Sequence, residues 1–302
     1  MEKSNIGEKI KLLTGSGMWH TQEVEGLPSV HLSDGPHGLR KQEEKERQNN
    51  VSLVSTCYPT ASALACSWDV TAAERLGRAV AKEAWNADVA VLLGPGINMK
   101  RSPLCGRNFE YFSEDPFLTG RLGAAYVSAQ GENVAVSLKH FAANNQETNR
   151  QTSNSQIDER ALREIYLSAF EYVVKTTRPA TVMASYNRLN GYYACENRHL
   201  LTEILREEWG FDGVVISDWG ACADLAKAVK AGMDLEMPDS HGIHARKLKA
   251  ALKAGEISEA DIAQAAGRIE KLVKKYAPDN RVKKDTSDAH EIAKQLACES
   301  AV

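Results

Sequence analysis

The chain predicts an α/β protein, a modified (β/α)8 barrel of the TIM type built as a single domain, and three observations carry that prediction. Short β-branched or apolar runs alternate with longer stretches of helical period, the pattern of βα units wound around a parallel sheet. The ends of successive runs, near Asp34, Cys66, Asn98, His140, Tyr186 and Asp218, stand roughly 30 to 45 residues apart, a spacing that suits a barrel carrying insertions. With 302 residues, 43% of them hydrophobic, the chain can bury the core of one barrel-sized unit.

The expected strands are 29–32, 61–65, 89–93, 135–138, 180–185, 213–216 and 234–237. Amphipathic helices fall between them. Asp69 is placed to cap a helix whose Leu76, Val80 and Ala84 recur at helical spacing. Asp158 is placed to cap another, with Leu162, Ile165, Ala169 and Val173 on one face, and Ser258 opens a third with Ile262, Ile269, Leu272 and Val273 inward. The charged stretch 41–50 reads as an exposed loop after the first strand. The barrel is expected over 1–276. A charged, proline-containing linker follows from 277, and helical period resumes at 289 and runs to the last residue, as the start of a helix leading to a further domain.

Composition excludes several function classes. A formal charge of −3, a pI near 6.3 and well-mixed acids and bases offer no electrostatic footprint for nucleic acid or an anionic membrane. The most basic stretch, 271–284, reads as the solvated end of a helix and a linker. Cys57, Cys66, Cys105, Cys195, Cys222 and Cys298 form no Cys-x-x-Cys pair, so a zinc ribbon, redox motif or disulfide scaffold is not expected. The amino terminus has no apolar segment of signal-peptide length and no later run approaches a membrane span, which gives the expectation of a soluble, cytoplasmic protein.

The most informative segment is GFDGVVISDWGA, where a carboxylate, Asp218, directly follows the continuous apolar run of a strand covered on both faces. Carboxyl ends of parallel strands are where barrels place ligands and catalytic groups. Other strand ends add Asp34, Arg101, Lys139 with His140, and Tyr186, with Trp68 and Trp219 close in sequence to strand ends. One carboxylate among such partners suits a neutral, hydroxyl-rich substrate, because sugars need many directional hydrogen bonds and a flat apolar platform. The cations are expected to hold Asp218 ionised, lowering its pKa by about one to three units.

At this density of motifs the chain resembles the N-terminal barrel domain of the glycoside hydrolase family three β-glucosidases. The resemblance runs through LSDGPHGLRKQ, PTASALACSWD, RSPLCGRNFEYFSEDP, KHFAANNQE, IDERALREIYLSAFE, YNRLNG, LLTEILREEWGFDGVVISDWGA and AGMDLEMP, nearly the whole chain. It implies that Asp218 is the nucleophile of a retaining double displacement. It also implies that Asp34, Arg101, Lys139 and His140 grip the hydroxyls of the −1 sugar, that Tyr186 sits beside the nucleophile, and that Trp219 shapes the aglycone side. Asp34 and Trp219, rather than the Glu and Cys of family β-xylosidases, favour a gluco-configured sugar. The stretch 154–160 lacks the acid/base His of the β-N-acetylglucosaminidases. The implied partner is a β-glucoside or β-linked oligosaccharide, with no cofactor and no metal.

The family's acid/base Glu usually lies in a second, α/β sandwich domain, and retaining hydrolysis needs two carboxyl groups about 5 to 5.5 Å apart. The expectation is therefore that a second domain or chain supplies the acid, and that the barrel face meeting it favours self-association into a homo-oligomer. Glu110, Glu147 and Glu236 read as structural or sugar-binding rather than as the acid. A sugar-binding module without catalysis, or xylosidase-type specificity, are the alternatives. Lys139 alone would also fit a Schiff-base aldolase. His241 and His244 form a His-x-x-His pair without a third ligand at useful spacing and read as a helix start. Arg107 and Glu110 read as a loop-shaping ion pair, with contact to substrate as the alternative, GPGINMKR as the turn that delivers Arg101, and Trp19, Trp85 and Trp209 as core.

Overall fold

The structure is a computed structural model that describes residues 5–35, 37–42, 51–131, 134–279 and 281–301; most of the charged stretch 41–50 lies outside them. The strands among the described residues are β1 (Gly15–Ser16), β2 (His20–Thr21), β3 (His31–Asp34), β4 (Val89–Leu93), β5 (Ala135–Phe141), β6 (Asn154–Ser155), β7 (Thr181–Ala184), β8 (Arg188–Leu189), β9 (Tyr192–Tyr193) and β10 (Val214–Ser217). The main sheet runs β1-β2-β3-β4-β5-β7-β10. From β3 to β10 the neighbours are parallel, while β1, β2 and β3 pair antiparallel. A small sheet of β6, β8 and β9 stands apart from this ring.

The ring closes through the expected strand at 234–237, which pairs by isolated bridges rather than a full ladder. The Ser217 N–H donates to the Leu235 carbonyl at 2.9 Å, and the Gly15 N–H donates to the Glu236 carbonyl, also at 2.9 Å. The barrel is therefore modified at its seam, where a short antiparallel hairpin replaces regular βα units. β4 and β5 are buried along their whole length, β4 as an apolar run covered on both sides and β5 with Lys139 and His140 buried near its carboxyl end.

One expected strand is a helix. Ala61–Cys66 (ASALAC) has no β-branched residue, is rich in Ala and Leu, and starts at Thr60, whose hydroxyl accepts the Ala63 N–H at 3.2 Å. The helices Val70–Asn86 and Glu259–Tyr276 match expectation, the second opening on a capping box between Ser258 and Asp261. After Asp158 the helix passes through a π-helical turn, Leu162–Tyr166. That turn shifts the helical phase, so Tyr166 is buried and Ile165 is exposed, against the face expected from spacing.

At the amino-terminal end of the last two staves, Asp234 is fully buried and completely partnered. Its Oδ2 accepts from Arg206 Nη2 at 2.6 Å and from the Val215 N–H at 2.8 Å, and its Oδ1 accepts from Arg268 Nη1 at 2.9 Å. The linker after 276 lies along the barrel: Trp85 donates its indole N–H to the Val282 carbonyl at 2.8 Å, and the Arg281 guanidinium covers its ring at 4.3 Å. The helix Ala289–Glu299 buries Ala289, Ala293 and Leu296 and pairs Glu299 with Arg75.

Candidate active site

The carboxyl ends of β3, β5, β7 and β10 converge on a cavity of about 230 Å³ lined by Asp34, Lys139, His140, Tyr186, Asp218 and Trp219, together with Trp19, Arg107, Arg150 and Met183. Six of the seven residues expected at the site are thus brought together. The seventh, Arg101, is not. It is exposed, lines neither this cavity nor the adjoining one, and holds its guanidinium 5.9 Å from the Tyr166 ring centroid. The loop after β4 instead returns to the mouth further along, where a 3-10 turn at Asn108–Glu110 delivers Arg107.

Asp218 follows β10 directly and is buried. Its Oδ1 accepts the Trp219 N–H at 2.7 Å, whereas its Oδ2 faces the cavity with no hydrogen-bond partner. The nearest cationic or imidazole nitrogens stand off at 3.8 Å (Arg107 Nη1) and 3.7 Å (His140 Nε2). Burial raises the Asp218 carboxyl above the ordinary aspartate range; Arg107, the Trp219 N–H, Lys139 and Tyr186 oppose it without reversing it. The expected downward shift is therefore overturned, because desolvation of the buried carboxyl outweighs the cations around it.

Around this oxygen the polar groups hold one another. Arg107 gives its Nε–H to Glu110 Oε1 at 2.5 Å and an Nη2–H to His140 Nε2. An arginine can only donate, so Nε2 is the acceptor and the imidazole proton sits on Nδ1, toward Asn98 Oδ1 and the Tyr111 oxygen. Burial, then Arg107, Lys139 and Arg150, push His140 well below the usual histidine range, so the ring is neutral. Burial raises the Glu110 carboxyl, but Lys139 and Arg107 outweigh it and hold it below its ordinary range.

Lys139 Nζ lies 3.3 Å from Glu110 Oε2 and 3.6 Å from Asp34 Oδ1. Two carboxylates beside the amine are the reverse of the apolar or cation-flanked pocket that a Schiff-base lysine needs. Tyr186 donates to the Trp219 carbonyl at 3.1 Å, and the Arg150 guanidinium lies 4.1 Å above its ring. Trp219 donates its indole N–H to the Met18 carbonyl at 2.8 Å, and its ring centroid stands 5.2 Å from that of Trp19. Trp19, read as core in the sequence, is a wall of the cavity, while Trp68 is 74% exposed and lies outside it.

Sequence reasoning thus missed Arg150, Met183 and Trp19 as cavity residues, and read Arg107 first as a loop-shaping partner of Glu110. Arg107 carried a usable signal, since it stands three residues before the acid that Lys139 also contacts. An adjoining cavity of about 500 Å³ shares Asp34, Arg107, Lys139 and Arg150 and extends past Phe109 and His37. The three other carboxylates considered as acids are all engaged: Glu110 as above, Glu147 with Arg150 at 2.9 Å, and Glu236 with His244.

A closed barrel whose mouth presents a half-satisfied buried carboxylate, ringed by an ion-paired Lys, a hydrogen-bonded Arg and a neutral His and walled by paired tryptophans, defines a glycoside-hydrolase barrel. The comparisons agree. The model of the "Glycosyl hydrolase family 3 N terminal domain" matches residues 36–272, and the chain belongs to that family. It is 49% identical over its whole length to thermostable beta-glucosidase B of Acetivibrio thermocellus, covering 41% of that protein. It is also 46% identical over 98% of its length to an exo-alpha-(1->6)-L-arabinopyranosidase of Bifidobacterium longum, covering 40% of it. Among solved structures it matches a family 3 beta-glucosidase of Bifidobacterium adolescentis with a TM-score of 0.91 and 45% identity over 98% of this chain and 43% of that one. The chain therefore spans less than half the length of the relatives it matches.

Proposed function

We propose that this chain is the glycone-binding, nucleophile-bearing part of a retaining β-glucosidase. The observation that carries the reading is Asp218 Oδ2, a buried carboxylate oxygen without a hydrogen-bond partner that opens onto a sugar-sized polar cavity. In this reading Oδ2 forms a bond to the anomeric carbon as the aglycone oxygen leaves with the bonding electron pair. Water then cleaves the glycosyl ester and restores the carboxylate. Arg107 and His140 fix the mouth, Lys139 and Asp34 offer a donor and an acceptor to adjacent hydroxyls, and Trp219 with Trp19 forms the apolar wall on which an aglycone rests.

The acid that protonates the leaving oxygen comes from another domain or chain in this proposal. Support comes from the engaged state of Glu110, Glu147 and Glu236, and from relatives more than twice as long. The gluco preference rests on Asp34 and Trp219, and the arabinopyranosidase likeness makes the α-L-arabinopyranoside the competing substrate to assay. A cytoplasmic setting is part of the same proposal, supported by six free cysteines, three of them exposed.

The test is mass spectrometry after incubation with a 2-fluoroglucoside that has a good leaving group. An adduct on the Asp218 peptide is expected, and its absence would leave a sugar-binding module. Dinitrophenyl glucoside should turn over far faster than methyl glucoside, because a general acid is worth roughly 10² to 10⁴ in rate. Comparable rates on the two would show that the chain holds its own acid.

A further inference from the structure

Past the nucleophile, the chain turns through Trp219, Gly220 and Ala221 to Cys222, and this turn is pinned to the last stave by the Gly220 N–H donating to the Met237 carbonyl at 2.8 Å. Opposite it, Glu236 projects from that stave, and His244 projects from the first turn of the helix Ile243–Lys253. One ligand atom from each of Cys222, Glu236 and His244 lies within 4.8 Å of the other two. Cys222 and Glu236 are buried and His244 is half-buried.

None of these three side chains lines the sugar cavity. The Cys222 sulfur makes no hydrogen bond among the described residues; the residue packs with the apolar core and also lies beside a carboxylate and an imidazole. A buried thiol kept only for packing has no need of such neighbours. Thiolate, imidazole and carboxylate are the ligand set that zinc takes in tetrahedral sites, with sulfur at about 2.3 Å and nitrogen or oxygen at about 2.0 to 2.2 Å.

We propose that Cys222, Glu236 and His244 form a three-ligand site for a thiophilic divalent cation of the zinc class, one turn of chain beyond Asp218. Such bond lengths put ligand atoms about 3.5 Å apart. Binding therefore draws the sulfur inward and parts the hydrogen-bonded Glu236–His244 pair. His244 is the half-buried member of the three and follows the exposed His241. Its exposed side is also the entry path. The cation replaces the thiol proton, which is released to solvent, and the fourth coordination position is left to water. The sequence hid this site because only one of its three ligands belongs to the His-x-x-His pair.

Cobalt(II) titration of the 302-residue chain tests it, with zinc affinity measured by competition against a chromophoric chelator. One equivalent of cobalt should bind tetrahedrally with a near-ultraviolet sulfur-to-cobalt band. Cys222→Ser should abolish that band and weaken zinc at least about 100-fold, since even outer-shell partners are worth 10- to 100-fold. Replacing the exposed Cys57, Cys66 and Cys298 by serine should leave both readouts intact. Absence of a one-equivalent site, or a band that survives Cys222→Ser, overturns the proposal. If Cys222→Ser does not fold, His244→Ala decides: zinc affinity unchanged in that variant would mean that Glu236 and His244 are only a structural pair.

Discussion

The two ends of the barrel each bury an aspartate beside two basic side chains, and they use it in opposite ways. At the amino-terminal end, Asp234 has each carboxylate oxygen in contact with an arginine, at 2.6 and 2.9 Å, and takes a backbone N–H besides. At the carboxyl end, Asp218 has one oxygen bonded to its own chain and the other unpartnered, with Arg107 held off at 3.8 Å. Burial raises both carboxyls, and two cations oppose it in each case. What separates them is satisfaction of lone pairs. A completed network rigidifies the closure of the ring, whereas an incomplete one keeps an oxygen available to react.

The sharpest way to break this contrast is to remove each charge in turn. Asp218→Asn should lower the rate on dinitrophenyl glucoside by about 10⁴-fold or more, as loss of a nucleophile does elsewhere. Its thermal midpoint should stay or rise, because an incompletely paired buried charge has gone. Asp234→Asn should do the reverse. It leaves Arg206 and Arg268 short of a counter-charge, a loss of about 3 to 5 kcal/mol. Denaturant midpoints should record that loss, while the folded fraction still forms the Asp218 adduct. Equal stability losses in the two variants would show that the mouth carboxylate is structural too.

A second contrast sets Arg107 against Arg101. Arg107→Ala strips Glu110 of one of its two cations and His140 of its donor, so kcat/KM should fall by about 10² to 10³, the scale of a lost oriented electrostatic partner. Arg101→Ala changes an exposed side chain and should alter stability by no more than about 0.5 kcal/mol, with kcat/KM within about twofold. An Arg101 variant that loses most of its activity would return the site to the sequence reading.

These pairs also mark where the sequence was legible. Staves made of continuous apolar residues, such as 89–93 and 213–216, announce themselves, and so does a polar residue ending one, which is why Asp34, Lys139, His140 and Asp218 were readable. The hairpin at the seam was not, because two-residue strands carry no period, and neither was the helix at 61–66, because ASALAC has helical propensity under a strand-like spacing. Arg101 was chosen over Arg107 because nearness to a strand end in sequence is not nearness in space once a long loop doubles back. The direction of the Asp218 shift was misjudged for a related reason. Sequence names the cations around a carboxylate but not the depth of its burial, and burial raises even Asp234, whose arginine arrives at 2.6 Å.

Burial of the mouth carboxylate has a consequence in pH. A carboxyl raised by folding binds its proton more tightly in the native than in the unfolded state. Between the ordinary aspartate value of 3.8 and the raised native value, Asp218 therefore makes stability fall as pH rises. Asp218→Asn should flatten that part of the stability curve. On the proposed mechanism activity runs the other way, since only the ionised oxygen would attack. The acid limb of kcat/KM, which reports the free enzyme, should lie above 3.8 when measured with dinitrophenyl glucoside, where no proton donor is needed. An acid limb at or below 3.8 would mean that hydrogen bonds or solvent reach Asp218 Oδ2 and offset its burial, and the contrast with Asp234 would then dissolve, because neither aspartate would keep an unsatisfied oxygen.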